Sequence, residues 1–444
     1  MGTVGAMGKR LLTLSTGALV GAFCLPGMLR LGLLWGLFPG GDLGHASGYV
    51  REALQTVHDN YVDPKAASYD ALTRSAIHGM LDSLDPHSEY LEAKDNQQLE
   101  EDLSGEFGGI GVEVEVRDKR IVVVAPIQGT PGARAGILRG DEITSIEGKR
   151  LGADANVSDV ADQLRGKPKT RVSLGLYRPS TGRNLELTLT REIIKVDSVG
   201  DVRVIDGDVG YIQLKEFSDH TGDQFIAALN GLLKKNIDSL VLDLRNNPGG
   251  LLDAAVDVAE PFFKKGELIV YTQGRKPSDR EDYRAESDDP PLDLPVAVLI
   301  NWGTASAAEI VTGALKDTGR AVVVGERSFG KGSVQQMFDL KNGESLRLTV
   351  AKYYTPSGVS IHEKGIAPQV EVVMSPEDDF KLSQQHDRPE VTNPKEFKEL
   401  FGFEPIRDRQ LEAAVDVLKG VDLLDGQAEA AAKGRPAAKA PDKS

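Results

Sequence analysis

Pro295-Val-Ala-Val-Leu-Ile-Asn-Trp-Gly-Thr-Ala-Ser-Ala-Ala-Glu-Ile-Val-Thr-Gly-Ala-Leu-Lys316 changes its hydrophobic period at one serine. Pro295 to Ile300 is an unbroken apolar run, the pattern of a buried strand, whereas Ile310, Val311, Ala314 and Leu315 recur at helical spacing. Ser306 therefore falls at a strand-to-helix turn. The first amides of a helix lack intrahelical acceptors, so the Ala307 N–H beside it is open to an oxyanion. Ser306 followed by Glu309 also spells a capping box, a purely structural use for the same serine.

The next apolar run, Ala321-Val-Val-Val324, leads into Phe329-Gly-Lys-Gly-Ser-Val-Gln335. A serine hydroxyl is a poor nucleophile until a neighbouring base takes its proton, and a lysine can do so only when neutral. An ordinary lysine, with a pKa of ~10.4, is neutral in only about one copy in a few thousand at pH 7. Burial depresses that value by roughly 3 units, at ~1.4 kcal/mol per unit. The glycines on either side of Lys331 let its backbone approach another segment closely. If residues 332 to 340 are extended, Lys331, Ser333 and Gln335 share one face, and the Gln335 carboxamide is in place to orient the amine. Taken singly, Lys331 reads as a solvated surface residue. A different chemistry has the same spacing: Gly325-Glu-Arg-Ser-Phe-Gly-Lys331 matches a phosphate-binding P-loop. Gly332 stands where that loop needs Ser or Thr, and a strand pattern follows where it needs a helix, so a P-loop-like nucleotide binder is the remote alternative.

Four segments occur together and in order: Asp243-Leu-Arg-Asn-Asn-Pro-Gly-Gly250, Gly303-Thr-Ala-Ser-Ala-Ala-Glu309, Gly325-Glu-Arg-Ser-Phe-Gly-Lys-Gly-Ser-Val-Gln335 and Tyr353-Tyr-Thr-Pro-Ser-Gly358. In this the chain resembles the carboxyl-terminal processing peptidases, or tail-specific proteases, from about Tyr49 to Leu418. The resemblance implies Ser306 as nucleophile, Lys331 as general base 25 residues later, and Gln335 as the base-orienting group four further on. It implies a second oxyanion donor at Gly249 or Gly250, beside the Ala307 amide. Asp317 matches a position where some members carry an acid and is read as structural. The chain departs from the family pattern at Ala308, where a second serine is common, and at Gln369, where an aspartate is common.

Upstream, Phe107-Gly-Gly-Ile-Gly-Val112 and Thr130-Pro-Gly-Ala-Arg-Ala-Gly136 through Gly148 resemble a PDZ domain. Gly109, Ile110, Gly111 and Val112 would expose successive amides to a chain-terminal carboxylate, and the following strand would take the peptide as an added strand. A helix over Ser158 to Leu164 would wall that groove and offer Val160 and Leu164 to apolar ligand side chains. A glycine-rich hairpin without a ligand is the alternative use of the same residues. Arg165 resembles an arginine by which family PDZ domains sense substrate, a regulatory candidate.

The fold implied is multi-domain α/β and α+β: a helical region at 48–98, a PDZ domain at 99–192 before a mixed α/β peptidase core at 193–375, a linker and helix at 376–426, and a disordered tail at 427–444. Residues 1–47 hold Lys9 and Arg10 followed by nineteen mostly apolar residues, Leu11 to Leu29, long enough as a helix to span ~28 Å. That pattern predicts export, with a slight balance toward an uncleaved anchor in the inner membrane and the enzyme on the periplasmic or other extracytoplasmic side of the cell envelope. The lone Cys24 lies inside this segment, so the exported part has no disulfide. His87 follows a proline and reads as a local hydrogen-bonding residue, and neither a zinc-ligand cluster nor a Gly-x-Ser-x-Gly elbow occurs. With 67 acidic against 52 basic residues and a net charge of −15, no nucleic-acid partner is expected. No cofactor or metal is expected either. The expected substrates are proteins with apolar C-terminal tails; an adaptor protein, a homo-oligomer, and a scaffold or latent protease needing an activator stay open.

Overall fold

The computed structural model describes residues 42–152, 154–386, 391 and 393–433, with side chains in the last helix described as far as residue 421. The segment expected to enter the membrane lies outside these residues, and among those described no helix is long and apolar enough to cross a bilayer. The chain divides into two compact units between Tyr90 and Leu91. The first contains the helices Asp42–Asn60 and Tyr69–Asp82, as the spacing predicts. Ser68 caps the second of these by accepting the Ala71 N–H at 3.3 Å. The His87 N–H donates to Asp85, a local turn bond.

The second unit holds the PDZ module and the core. Val112–Arg117, Arg120–Pro126, Glu142–Ile146, Arg171–Arg178 and Arg183–Thr190 form one antiparallel sheet in that order, so Val112–Arg117 is an edge strand. Val157–Leu164 is a helix beside that edge, capped by Asn156, which accepts the Asp159 N–H at 2.7 Å. A two-stranded ribbon, Glu106–Gly109 with Glu192–Lys195, carries the chain into and out of the module.

The core is a six-stranded sheet in the order Val199–Ile205, Val209–Leu214, Ser239–Asp243, Val296–Ile300, Ala321–Gly325 and Val370–Glu371. All neighbours are parallel except the first pair. Its three central strands are apolar on both faces, which is what a parallel sheet covered on two sides demands. Leu240, Leu242, Val298 and Ile300 point toward the helices Thr221–Leu233, Leu252–Ala259 and Ala307–Asp317. Val241, Ala297, Leu299 and Val324 face the opposite layer, where Ala414, Val415 and Leu418 of the helix Arg409–Lys433 cover them.

Two expectations change here. Pro376–His386, read as charged linker, is a helix: three carboxylates in its first turn suit the positive end of the helix dipole, Ser375 accepts the Asp378 N–H at 3.1 Å, and Leu382 is buried. The last helix runs on to Lys433, past Gln427 where the disordered tail was expected, because its alanine-rich composition favours helix. Residues 434–444 lie outside the described residues.

Candidate active site

Three adjacent parallel strands, ending at Asp243, Ile300 and Gly325, deliver three turns to one edge of the sheet: Leu244–Gly250, Asn301–Ser306 and Glu326–Lys331. Outside the carboxyl ends of the strands is where open α/β sheets place their ligands. The turns brace one another. The Asn301 carboxamide donates to Asn246 Oδ1 and accepts the Asn246 N–H, both at 2.8 Å, and the Ala305 N–H donates to the Asn247 carbonyl at 2.9 Å.

Ser306 takes φ 54° and ψ −117° at the head of the helix Ala307–Asp317. A non-glycine residue in such a conformation costs ~1–3 kcal/mol and persists only where its surroundings impose it. Glu309 is what imposes it. The carboxylate half of the capping box is formed, with the Ser306 N–H donating to Glu309 Oε2 at 2.9 Å. The Glu309 amide donates back to the Ser306 carbonyl at 2.9 Å. Burial pushes the Glu309 carboxyl up, against the pull of the hydrogen bonds it accepts from Ser328 and from the backbone of Gly330, Ser306 and Lys331.

The backbone of Gly249, at φ 98°, lies directly against this turn. A Cβ there would stand 2.7 Å from Ser306 Cβ and 2.8 Å from the Ala307 nitrogen, so only glycine fits. Gly250, at φ 143°, is pinned between the Phe217 N–H to Gly249 carbonyl bond of 2.9 Å and the Leu251 N–H to Phe217 carbonyl bond of 2.8 Å. The Gly249 N–H is occupied, donating to Asn247 Oδ1 at 2.9 Å. Among the described residues the amides of Gly250 and Ala307 donate to no protein acceptor.

Ser306, Lys331, Gln335, Gly249 and Gly250 all line one cavity of about 760 Å³. Lys331 is half-buried and Ser306 almost wholly so, at 7% exposure. The strand bearing the glutamine, Ser333–Asp339, pairs antiparallel with Ser345–Tyr354, in which Val350 is the extra residue of a bulge opposite Val334 and Gln335. Val334 and Gln335 both line the cavity, while Ser333 is buried beneath them. The Gln335 amide nitrogen donates to Ser333 Oγ at 2.8 Å and Thr349 Oγ1 at 3.4 Å. Asp102, Glu216, Asp219, Asp253 and Asp257 add an acidic wall. A neighbouring cavity of about 620 Å³ behind Asn246, lined in part by Trp302 and Phe380, contains neither Ser306 nor Lys331.

A buried ion cluster lies under this edge. Arg245 pairs with Asp243 at 2.5 Å and with Asp408 of the C-terminal region at 2.8 Å, while the Tyr211 hydroxyl donates to Asp243 at 2.7 Å. Burial alone would raise both carboxyls, but the Arg245 charge outweighs it and holds each below its usual range. The Asp243-Leu-Arg245 spacing shows two of these ions, but Asp408, 163 residues from its partner Arg245, is not visible in it. Asp317 accepts from the Ser357 hydroxyl and amide, and the Gln369 side chain takes the Val323 N–H at 2.7 Å, so both have structural partners.

In the PDZ module Gly111 is left-handed at φ 69°, and a Cβ would meet Thr130 at 2.4 Å. Ile110 is buried with Val160 and Leu164 in the module's own core, so the two helix residues expected to face a ligand fill the space beside the edge strand. Arg165 lies 3.7 Å from Glu101 and over the Phe107 ring at 4.6 Å. Glu101 belongs to the helix Ala93–Ser104, whose Leu99, Asp102 and Leu103 line the Ser306 cavity. No metal-holding group of side chains occurs among the described residues.

Residues 208–372 match peptidase family S41 and residues 108–189 a PDZ domain. A carboxy-terminal-processing protease of Bartonella bacilliformis is 41% identical over 364 residues, covering 79% of this chain and 83% of the relative. The carboxy-terminal processing protease CtpA of Bacillus subtilis is 39% identical over 322 residues, covering 72% and 68%. A solved structure titled photosystem II D1 C-terminal processing protease is 32% identical, with a TM-score of 0.43 over 73% of this chain and 92% of its own. The chain belongs to peptidase family S41, among its PDZ-bearing carboxy-terminal processing proteases, and is a serine-type peptidase.

Proposed function

We propose that Ser306, Lys331 and Gln335 carry out the proteolysis, and that the PDZ module presents apolar C-terminal tails of exported proteins to them. The observation behind this reading is the meeting of all three side chains with Gly249 and Gly250 in one cavity at the carboxyl edge of the sheet. Neutral Lys331 takes the Ser306 proton as Oγ bonds to the substrate carbonyl carbon. The oxyanion is received by the amides of Ala307 and Gly250. Gly250 is the better second donor because the Gly249 amide is already spent on Asn247. As the tetrahedral intermediate collapses, the C–N bond breaks and Lys331 returns the proton to the leaving amine. A water, deprotonated by the same lysine, then hydrolyses the ester and frees the hydroxyl. With its amide nitrogen turned to Ser333 and Thr349, Gln335 has its carbonyl oxygen left to orient Lys331. Export rests on Leu11 to Leu29, with the peptidase on the extracytoplasmic side.

Purified protein should degrade an unstructured substrate bearing an apolar tail, and Ser306→Ala should abolish turnover. Lys331→Ala should slow turnover by ~10³-fold or more. Turnover unchanged in both variants sinks this mechanism. Gly111→Leu, which collides with Thr130, should slow tail-bearing proteins while sparing short peptides. Equal loss on both counts against the tether.

A further inference from the structure

Outside the three side chains of the proposed mechanism, the most heavily engaged polar group at the site is the Glu309 carboxylate, which is fully buried. Its two oxygens divide their work. Oε2 accepts the Ser306 N–H at 2.9 Å and the Lys331 N–H at 2.8 Å, so the backbones of both residues hang on one atom. Oε1 accepts the Gly330 N–H at 2.8 Å and the Ser328 hydroxyl at 2.5 Å, and Ser328 Oγ in turn takes the Ile366 N–H at 2.6 Å. A further direct tie between the two turns is the backbone bond from the Phe329 N–H to the Thr304 carbonyl at 2.9 Å.

A helix cap would need only one of these bonds. The other three go to a different segment, the turn that carries Lys331. A neutral carboxamide of the same shape has one acceptor oxygen and would set an NH2 group against two of the four donors. The Ser306 amide, held by Glu309, is also removed from the oxyanion site, leaving that task to Ala307 and a glycine amide.

We propose that Glu309 is a positioning residue that fixes the distance between nucleophile and base through one shared carboxylate oxygen, and this rests on the reading of Ser306 and Lys331 given above. It differs from a stabilising cap in what its loss does. Losing a cap lowers the fraction of folded enzyme; losing the shared oxygen leaves folded enzyme whose serine is slow.

The test is Glu309→Gln in the full chain, assayed with a tail-bearing substrate and titrated with a fluorophosphonate. Turnover should fall at least 100-fold with KM within three-fold of the parent, and fluorophosphonate labelling should be equally slowed yet reach one serine per chain. Ser328→Ala, which deletes a donor to Oε1 and leaves Oε2 intact, should cost less than five-fold. Parent-like turnover in Glu309→Gln overturns the proposal. So does incomplete labelling matched by loss of the folded circular-dichroism signal, since that is the signature of a merely structural role. A parent that neither cleaves nor labels overturns the Ser306 reading, and this inference with it. An active parent labelled at Ser306 beside an unaffected Glu309→Gln overturns this inference alone.

Discussion

Gly249→Ala puts a methyl group where the Ser306 turn leaves no room. The new Cβ would lie 2.7 Å from Ser306 Cβ and 2.8 Å from both the Ala305 oxygen and the Ala307 nitrogen, all well inside contact distance. Forcing such an atom into a packed site costs ~1–3 kcal/mol, and a left-handed φ of 98° adds ~1–2 kcal/mol for an L side chain. Relief comes either from unfolding or from pushing the Ser306–Ala307 backbone outward, and a displacement near 1 Å in a reacting group costs on the order of 10²-fold in rate. Gly319→Ala separates the two effects. Gly319 also has positive φ, at 69°, at the far end of the same helix, but a Cβ there meets nothing within 4 Å. It should lower the melting temperature without changing kcat/KM. With both variants assayed below their melting temperatures, Gly249→Ala should lose ~10²-fold in kcat/KM and Gly319→Ala less than three-fold. Equal kcat/KM in the two variants would refute the reasoning that the glycine turn touches Ser306 where it acts.

Arg245→Met leaves Asp243 and Asp408 buried without the guanidinium they share, with only His386 beside Asp408, and should destabilise the protein by ~3–5 kcal/mol in urea. Because the folded pKa values of both carboxyls lie below their unfolded ones, the stability they contribute is present above pH ~4 and lost as pH falls below it. The parent's melting temperature should therefore be level from pH 7 to about pH 5 and drop steeply below pH ~4; a rise on acidification contradicts the pairing. Glu216 behaves oppositely: burial first, and Asp102 second, raise its carboxyl, so its contribution is fullest below its unfolded pKa and declines as pH rises through the folded one. Glu216→Gln should be more stable than the parent at pH 8 and indistinguishable from it at pH 4, and thermal melts showing the reverse order would count against that environment.

The strand-turn-helix around Ser306 was legible because a change of period is a local property: the apolar run Val296–Ile300 and the helical spacing after Ala307 each need only their own neighbours. The grouping of Ser306 with Lys331 and Gln335 came from the resemblance to the carboxyl-terminal processing peptidases, because no local period links residues 25 apart. The bulge opposite Val334 and Gln335 was not legible, because a bulge is defined against a partner strand. Pro376–His386 was missed because only Leu382 of that helix is buried, so it has almost no apolar stripe to read. In the PDZ module the glycine turn was found from its resemblance to other PDZ domains, but the burial of Val160 and Leu164 depends on what the edge strand leaves open beside them.

Glu309 is the most instructive of these cases, because its sequence signature was read correctly and was still incomplete. The capping box is formed where the spacing put it, and a cap is all that spacing can reveal. Its second set of bonds exists only because two successive parallel strands, Val296–Ile300 and Ala321–Gly325, are neighbours in the sheet and end level, with Ile300 opposite Gly325. That register brings the turn after the second strand down onto the first turn of the helix after the first. A Cβ on Gly325 would meet the Ile300 oxygen at 2.1 Å, so the close approach is built into the backbone at the point where the two turns diverge. A lysine base, the role proposed for Lys331, has to be held with little freedom, because a lysine side chain is long and loses ~2 kcal/mol of rotamer entropy when fixed. Anchoring the lysine's own amide to the oxygen that anchors the serine's amide removes the backbone's share of that freedom before any substrate arrives. Restraint of that kind acts on kcat and leaves binding alone.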